Sequence, residues 1–271
     1  MAILSEADHA FFAEHGYLTV PDVLPPENLQ AAITTICEFL GIDQEDPASW
    51  YRKRLGSNGI VPIHHPQTFW NNRQHPKVHQ IFAELYGTEK LWVTMDRASF
   101  KPPFRSQLFQ RRDDSLLHWD VDPKKAKNLS IQGVLYLTDT DANQGAFECV
   151  PSAYRFLAQL LQDRKKVHSL KPKAEQKDIL GIGGRAGTLV FWNSLLLHRS
   201  GLNHTDRPRF VQYIAMHPEG SEKERQERVK LWQERRVPKH WRGWRYQIEP
   251  EPGKPAELDA LGRKLLGLDS W

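Results

Sequence analysis

Short apolar segments separated by turn-forming residues fill the centre of the chain, and they constrain its fold most strongly. We predict strands at Leu91–Met95, Leu129–Leu137, Ala146–Val150, Thr188–Trp192 and Phe210–Ala215. Gly, Pro, Asn and Asp stand between them, and many short strands with such spacing favour a barrel or a double-sheet antiparallel fold over alternating β-α units. The sequence therefore predicts an α+β protein with a mainly β core.

Helical patterns come before this core. A capping box at Ser5–Asp8 starts a first helix, and Gly16 is placed to end it in a left-handed turn. Proline is tolerated in the first helical turn, so Pro26 favours the start of a second helix. Residues 41–75 are rich in Pro, Gly, Asn and His and are interpreted as a loop, whereas 76–85 predict a short helix.

We expect one domain over residues 1–271, with a helical N-terminal cap at 1–90, the β core at 91–217 and a C-terminal appendage at 218–271. The stretch 223–245 mixes basic residues with tryptophan, a mixture that can stack on single-stranded nucleic acid. Interleaved glutamates favour a solvated helix with internal ion pairs instead. The appendage is therefore interpreted as a packing element or lid, and nucleic acid is a disfavoured partner.

Composition excludes several classes of protein. The net charge of +4 and pI near 9.0 are mildly basic, below what a dedicated nucleic-acid binder carries. No apolar run approaches the roughly 20 residues that cross a bilayer, and the N-terminus does not resemble a signal peptide, so no membrane partner is expected. The two cysteines, Cys37 and Cys149, are predicted to be buried free thiols, which favours a cytoplasmic location.

Two separated histidine motifs carry the chemistry. His118-Trp119-Asp120 is one, and His198 after the apolar run 187–197 is the other. Residues two apart on a strand point to the same face, so the side chains of His118 and Asp120 can converge on one ion. Two imidazoles and one carboxylate form the facial triad that binds Fe(II) and leaves coordination positions open. A second His-x-Asp motif, 204–206, lies in a turn-rich stretch and is interpreted as loop structure.

Arg209 follows the distal histidine on the next predicted strand. It shares a strand face with Val211 and Tyr213. A guanidinium group can form a bidentate fork to a carboxylate, which is the partner that a dicarboxylic cosubstrate needs. The spacing from His198 therefore favours a cosubstrate-binding role over a surface ion pair.

Other polar clusters have simpler interpretations. His75 and His79 have a spacing that can bind zinc on a helix, but the glutamate of zinc peptidases is absent and Pro76 indicates a helix start. His64-His65 is predicted to lie in a solvated loop. A run of cations before the first metal motif leaves an anionic substrate (carboxylate, phosphate or acyl-CoA) as an open alternative: Arg97, Lys101, Arg105, Arg111 and Arg112.

These motifs resemble the phytanoyl-CoA dioxygenase family of Fe(II)- and 2-oxoglutarate-dependent oxygenases over roughly residues 8 to 217. The segments that carry the resemblance are Phe12–Leu24, His118–Asp120, Asn143–Ser152, His198–Ser200 and Arg209. The resemblance implies a double-stranded β-helix, which is a jelly-roll, cupin-like barrel, flanked by N-terminal helices.

The resemblance also implies residue roles. His118, Asp120 and His198 would be the catalytic metal ligands, and Arg209 would hold the distal carboxylate of 2-oxoglutarate. Ser200 would assist Arg209. The chain reads Pro-Ser-Ala-Tyr at 151–154, where the family often has Pro-Gly-Ser-His.

Gln132 is a further candidate for the cosubstrate pocket. The implied reaction uses O2, converts 2-oxoglutarate to succinate and CO2, and hydroxylates a small molecule. Halogenating relatives replace the metal-binding carboxylate with a small residue, so Asp120 favours hydroxylation. Two alternatives stay open: an oxygenase acting on nucleic acid or protein, and a non-catalytic cupin-like barrel whose metal is structural or lost.

Overall fold

The structure is a computed structural model that describes residues 2–56, 58–105, 116–123, 129–160 and 175–271. In these ranges the helices are α1 Glu6–His15, α2 Pro26–Leu40, α3 Gln67–Arg73, α4 Pro76–Tyr86, α5 Pro151–Leu160, α6 Glu222–Gln233 and α7 Ala260–Leu266. The strands are β1 Tyr17–Val20, β2 Ile60–Val61, β3 Leu91–Val93, β4 Ala98–Lys101, β5 Ile131–Tyr136, β6 Phe147–Cys149, β7 Leu180–Ile182, β8 Leu189–Asn193, β9 His198–Ser200, β10 Arg209–Tyr213 and β11 Met216–Pro218.

The strands form two antiparallel sheets. The larger sheet has the order β1-β8-β5-β10-β4-β2, and β11 joins it by pairing with β5 and β3. The smaller sheet has the order β7-β6-β9. The prediction of a helix-flanked chain with an antiparallel β core is therefore confirmed.

The two faces of the larger sheet have different partners because side chains alternate along each strand. On one face, Leu135 and Phe191 pack with the helices, and the ring centroids of Phe82 (α4) and Phe191 lie 4.9 Å apart. On the other face, Val134 and Val190 belong to a second apolar cluster that includes Phe147 of the smaller sheet. Polar side chains of β8 and β10 on this second face can therefore point into the space between the sheets.

The start and end of α1 follow from its sequence. The side chain of Ser5 accepts from the backbone N–H of Asp8, and the side chain of Asp8 accepts from the backbone N–H of Ser5. Gly16 ends the helix with φ 76°, a left-handed backbone conformation that is strained for residues with a side chain. A Cβ on Gly16 would also lie 2.7 Å from the ring of Tyr154, so this position has no room for another residue. The predicted capping is confirmed at both ends.

Some predicted boundaries were wrong. The stretch 41–75 contains α3 and the short strand β2, although its composition indicated a loop. Strands of two to four residues carry too little alternation to be read from a single sequence, and four others were missed for the same reason. These are β4, β7, β9 and β11.

The C-terminal segment packs on the core through buried polar groups. The carboxylate of Glu251 accepts from the backbone N–H groups of His64 at 2.6 Å and His65 at 3.0 Å. His64-His65 lies in a loop, as predicted, but both imidazoles are fully buried, so the prediction that this loop is solvated was wrong. Buried Arg228 of α6 donates to the carbonyl oxygens of Val93 and Leu265.

Two further predictions concern the cysteines and membrane-spanning helices. Cys37 and Cys149 are both free thiols, as expected, but Cys37 is half-buried and not fully buried as predicted, whereas Cys149 is buried. Among the described residues, the longest helices are too short or too polar to cross a membrane.

Candidate metal centre

The backbone brings the two histidine motifs together. His118 and His198 face each other in an isolated antiparallel bridge, with N–H to carbonyl distances of 2.9 and 3.1 Å in the two directions. His118 lies in this bridge and not in a longer strand, so the predicted strand at the first motif was wrong. The strand predicted at Thr188–Trp192 is confirmed as β8, and a turn after Asn193 leads to β9 of the smaller sheet, which begins at His198.

Three potential ligand atoms converge at this bridge. One nitrogen each of His118 and His198 and one carboxylate oxygen of Asp120 lie within 4.8 Å of one another. The Nε2 atom of His118 is 3.8 Å from Oδ1 of Asp120, and Nε2 of His198 is 3.4 Å from Oδ2. No second group of this kind occurs in the part of the chain that the structure describes. The two motifs predicted to share a metal are therefore adjacent in space.

Hydrogen bonds orient both imidazoles. The carbonyl oxygen of Leu116 lies 2.9 Å from Nδ1 of His118, and that of Leu196 lies 2.8 Å from Nδ1 of His198. A carbonyl oxygen can only accept, so each Nδ1 carries a proton, and Nε2 is the nitrogen of each ring that remains to bind a metal when the ring is neutral. Burial lowers the pKa of His198, which favours the neutral ring that a metal requires.

The carboxylate of Asp120 is held by a residue that the sequence did not reveal as functional. The indole Nε1 of Trp192 on β8 donates to Oδ2 of Asp120 at 3.0 Å. Trp192 looks like a core residue in the sequence, since it belongs to the apolar run before His198. Strand alternation offered one signal, because Trp192 shares the inward face of β8 with Val190.

The donor set fits a divalent iron site. Two neutral imidazoles and a carboxylate, held by hydrogen bonds on their outer atoms, are the facial arrangement typical of non-haem Fe(II). His198 is buried, whereas 51% of the His118 side chain is accessible, so the ligands are open on one side. Such a site leaves coordination positions for other molecules.

A cavity of about 160 Å³ adjoins these ligands between the two sheets. Arg209 on β10 is almost fully buried there, and its Nη2 donates to Oγ of Ser99 at 2.7 Å. Its Nε is buried without a hydrogen-bond partner among the described residues, which is the arrangement expected where an anionic ligand binds. All six predicted site residues border this cavity: His118, Asp120, Gln132, His198, Ser200 and Arg209.

The other candidate motifs lie elsewhere. The 204–206 motif is in a loop, where Oδ1 of Asn203 accepts from the backbone of Thr205, and the loop interpretation is confirmed. His75 is the residue before α4, so the predicted helix start at Pro76 is confirmed, and Nε2 of His79 hydrogen-bonds the Glu89 carbonyl.

The cations before the first metal motif are dispersed. Arg97 borders the cavity, Lys101 is buried with its Nζ donating to the Gly201 carbonyl, and Arg105 lies over the Tyr51 ring. Arg111 and Arg112 lie outside the described residues. Among the cations of this group that the structure describes, only Arg97 lines the cavity beside the metal ligands.

The chain is similar to several known proteins. A provisionally named phytanoyl-CoA dioxygenase of Dictyostelium discoideum is 24% identical, over 78% of this chain and 74% of its own length. The ectoine dioxygenase of Bordetella bronchiseptica is 25% identical over 52% of this chain and 51% of its own.

A solved structure shares the fold. The epimerase SnoN, in complex with Fe3+, alpha-ketoglutarate and nogalamycin RO, has a TM-score of 0.52 at 16% identity, over 79% of this chain and 83% of its own. The sequence profile of the phytanoyl-CoA dioxygenase (PhyH) family matches residues 12–211. The chain belongs to the phytanoyl-CoA dioxygenase family.

Proposed function

We propose that this protein is an Fe(II)- and 2-oxoglutarate-dependent oxygenase that oxidises a small organic molecule. One observation carries the proposal: three ligand atoms within 4.8 Å of one another share a cavity with a buried arginine that has an unpartnered Nε. The three ligand atoms suit Fe(II), and the arginine suits a carboxylate. A cosubstrate that chelates iron at one end and carries a carboxylate at the other end satisfies both.

The proposed roles follow from these positions. His118, Asp120 and His198 hold the iron, and Arg209 holds the distal carboxylate of 2-oxoglutarate. Ser200 and Gln132 border the same cavity and are proposed to contact the cosubstrate. When bound, iron and 2-oxoglutarate supply the activation of O2, with succinate and CO2 as the products of the cosubstrate.

The chain itself contributes orientation and exclusion of water. The backbone carbonyls on the Nδ1 atoms fix both imidazole rings, and Trp192 fixes the carboxylate. Phe147 stacks on His198 with ring centroids 5.4 Å apart, so an apolar ring covers the inner side of the ligands. Within this cavity the charged end of Arg209 is shielded from solvent, which strengthens its attraction for a carboxylate.

Hydroxylation is the proposed outcome. Asp120 supplies the third ligand, which favours transfer of oxygen over halogenation. The SnoN structure shows that an epimerase of this fold binds Fe3+ and alpha-ketoglutarate, so the metal and cosubstrate alone do not select the outcome. We further propose that the two sheets are the halves of a jelly-roll barrel in a single 1–271 domain.

A structural metal is the main alternative. It would not need Arg209, since a buried cation without an anionic partner is costly and adds nothing to metal binding. The buried guanidinium with its free Nε therefore favours the catalytic function over the structural one.

The decisive experiment is an anaerobic titration with Fe(II) and 2-oxoglutarate, read from the visible charge-transfer band of the chelate. We expect the band in the wild type and its loss in Asp120→Ala. In Arg209→Ala we expect 2-oxoglutarate to bind on the order of 10- to 100-fold more weakly, as for a lost hydrogen bond to a charged group. Asp206→Ala changes the other His-x-Asp motif and is the matched control, which should retain the band. A folded wild type without the band would overturn the proposal.

A further inference from the structure

A second chamber continues from the metal cavity. It has a volume of about 570 Å³ and lies between the larger sheet, helix α6 and the turn at Lys239–Trp241. The two spaces share four lining residues: Asp96, Arg97, Asp120 and Gln132. A molecule that places one carbon near the metal ligands can therefore extend into the chamber past Arg97.

The guanidinium of Arg97 is held rigidly at this junction. Its Nε donates to Oδ1 of Asp96 at 3.0 Å, and its central carbon lies 4.9 Å from the ring centroid of Trp241 and 5.3 Å from that of Trp244. Only 14% of the side chain is accessible. Stacking on two indoles fixes the plane of a guanidinium group without using its N–H donors.

The outer fork of Arg97 is free. Among the described residues, neither Nη1 nor Nη2 has a hydrogen-bond acceptor, and the residue borders both spaces. Of the other cations that line these spaces, Arg228 donates to two backbone carbonyls, Arg199 pairs with Glu148, and Arg209 has its own role in the metal cavity. Lys239 is exposed, lines the second chamber but not the metal cavity, and has an ammonium group without a planar fork. A planar pair of donors at a fixed place is the arrangement that recognises carboxylate or phosphate.

We propose that Arg97 is the substrate-recognition residue and that the substrate carries an oxyanion, a carboxylate or a phosphate, which binds its Nη1/Nη2 fork. This proposal rests on the proposed function, because it assumes that the substrate reaches the metal ligands. Asp96, Trp241 and Trp244 are positioning residues that orient the guanidinium. The C-terminal segment thereby forms part of the substrate site.

The test uses matched probes on the full-length protein. Hexanoate, hexanamide and hexyl phosphate form one set, and 3-phenylpropionate and 3-phenylpropionamide form another. Binding is measured anaerobically in the presence of Fe(II) and saturating 2-oxoglutarate, so that Arg209 is occupied, from the shift of the visible band. Ligand-detected NMR on the same samples measures probe binding whether or not the chelate forms.

We expect the acids to bind the wild type on the order of 10- to 100-fold more tightly than their amides. Arg97→Gln should lose this preference and still form the 2-oxoglutarate chelate. Arg97→Lys keeps the charge without the fork and should retain only part of the preference. Arg245→Gln is the matched control, because this exposed arginine also lies over an aromatic ring, that of Tyr246, and lines neither of the two spaces.

Equal binding of acids and amides by the wild type would overturn the proposal, as would a preference that survives in Arg97→Gln. Lack of binding by every acid would count against it in the same way. Comparison of hexanoate with hexyl phosphate shows whether the preferred oxyanion is a carboxylate or a phosphate. A missing chelate band in the wild type would overturn the proposed function instead, while the NMR comparison still decides the role of Arg97. Circular dichroism and Tm establish that each variant is folded.

Discussion

The indole of Trp192 and the carboxylate of Asp120 are joined by a 3.0 Å hydrogen bond between the larger sheet and the loop that follows the first histidine. Trp192 lies on β8, which pairs with β1 on one side and β5 on the other. The carboxylate thus takes its orientation from a central strand, although Asp120 itself lies in a bend. Loss of a group that orients a metal ligand in this way typically weakens metal binding about 10- to 100-fold.

Trp192→Phe should therefore weaken metal binding without unfolding the protein. Phenylalanine retains the ring contact with Phe147 but removes the N–H donor. We expect the affinity for Fe(II) or Mn(II) to fall about 10- to 100-fold, measured by anaerobic calorimetric titration. Trp50→Phe is a matched control, since its indole also donates, to the Asp43 carbonyl, far from the metal ligands. Equal metal affinity in the two variants would contradict the role of Trp192.

Ser99 is expected to affect the cosubstrate and not the metal. Its hydroxyl accepts from Nη2 of Arg209 at 2.7 Å and donates to the Asn58 carbonyl. Ser99→Ala removes the group that holds the guanidinium, which should raise the KM for 2-oxoglutarate about tenfold, as for a lost hydrogen bond to a charged group. The Kd for Fe(II) should stay unchanged, and a parallel loss of both would show general disruption. Ser49→Ala is the control, because it also removes a buried hydroxyl, one that donates to the Asp43 carbonyl.

The candidate metal site could be found in the sequence because its signals are local. Residues two apart in His118-Trp119-Asp120 can share a face even in an isolated bridge, so the expected convergence of the side chains is observed although the strand is not. The burial of His64 could not be predicted in this way, because its partner Glu251 is 187 positions away and no local pattern indicates that contact. The chamber beside Arg97 was missed for the same reason, since helix α6 and the turn at 239–241 form its wall only after the C-terminal segment has packed.

Buried histidines should make the protein sensitive to acid. Burial lowers the pKa of His64 to about 3 and that of His65 to about 4, from an ordinary value near 6.5. Below pH 6.5 these histidines are protonated in the unfolded chain but stay neutral in the folded protein. Their contribution to the free energy of unfolding is therefore complete above pH 6.5 and declines as the pH falls toward 4. Glu251, whose pKa burial raises, acts in the opposite direction as the pH falls.

Between pH 7.5 and 5.5 the free energy of unfolding should fall by about 1.4 kcal/mol for each of these two histidines, or about 3 kcal/mol together. Urea unfolding at the two pH values measures the loss. His64→Gln cannot titrate and should show about half of it. A loss of the same size in this variant and in the wild type would exclude His64 as a source.

Gly133 should tolerate no side chain. It lies in β5 of the larger sheet, and a Cβ would stand 2.7 Å from the backbone oxygen of Ile214. Gly133→Ala should reduce the free energy of unfolding by about 1–3 kcal/mol, as for overpacking elsewhere in protein cores, measured with urea. Gly56→Ala is the control, because nothing lies within 4 Å of its added Cβ. Comparable stability of the two variants would refute this account of the sheet.

The reciprocal backbone bridge between His118 and His198 has an energetic consequence. The two residues belong to distant parts of the chain, and their mutual N–H to carbonyl bonds hold the edge of the smaller sheet against the loop that carries Asp120. The ion that we propose for these rings would act as a reversible cross-link across that edge, since it could bind all three ligands only when the edge is closed. Binding of the ion and local unfolding of this edge would then be opposing equilibria, so the free metal concentration would set how often the edge opens.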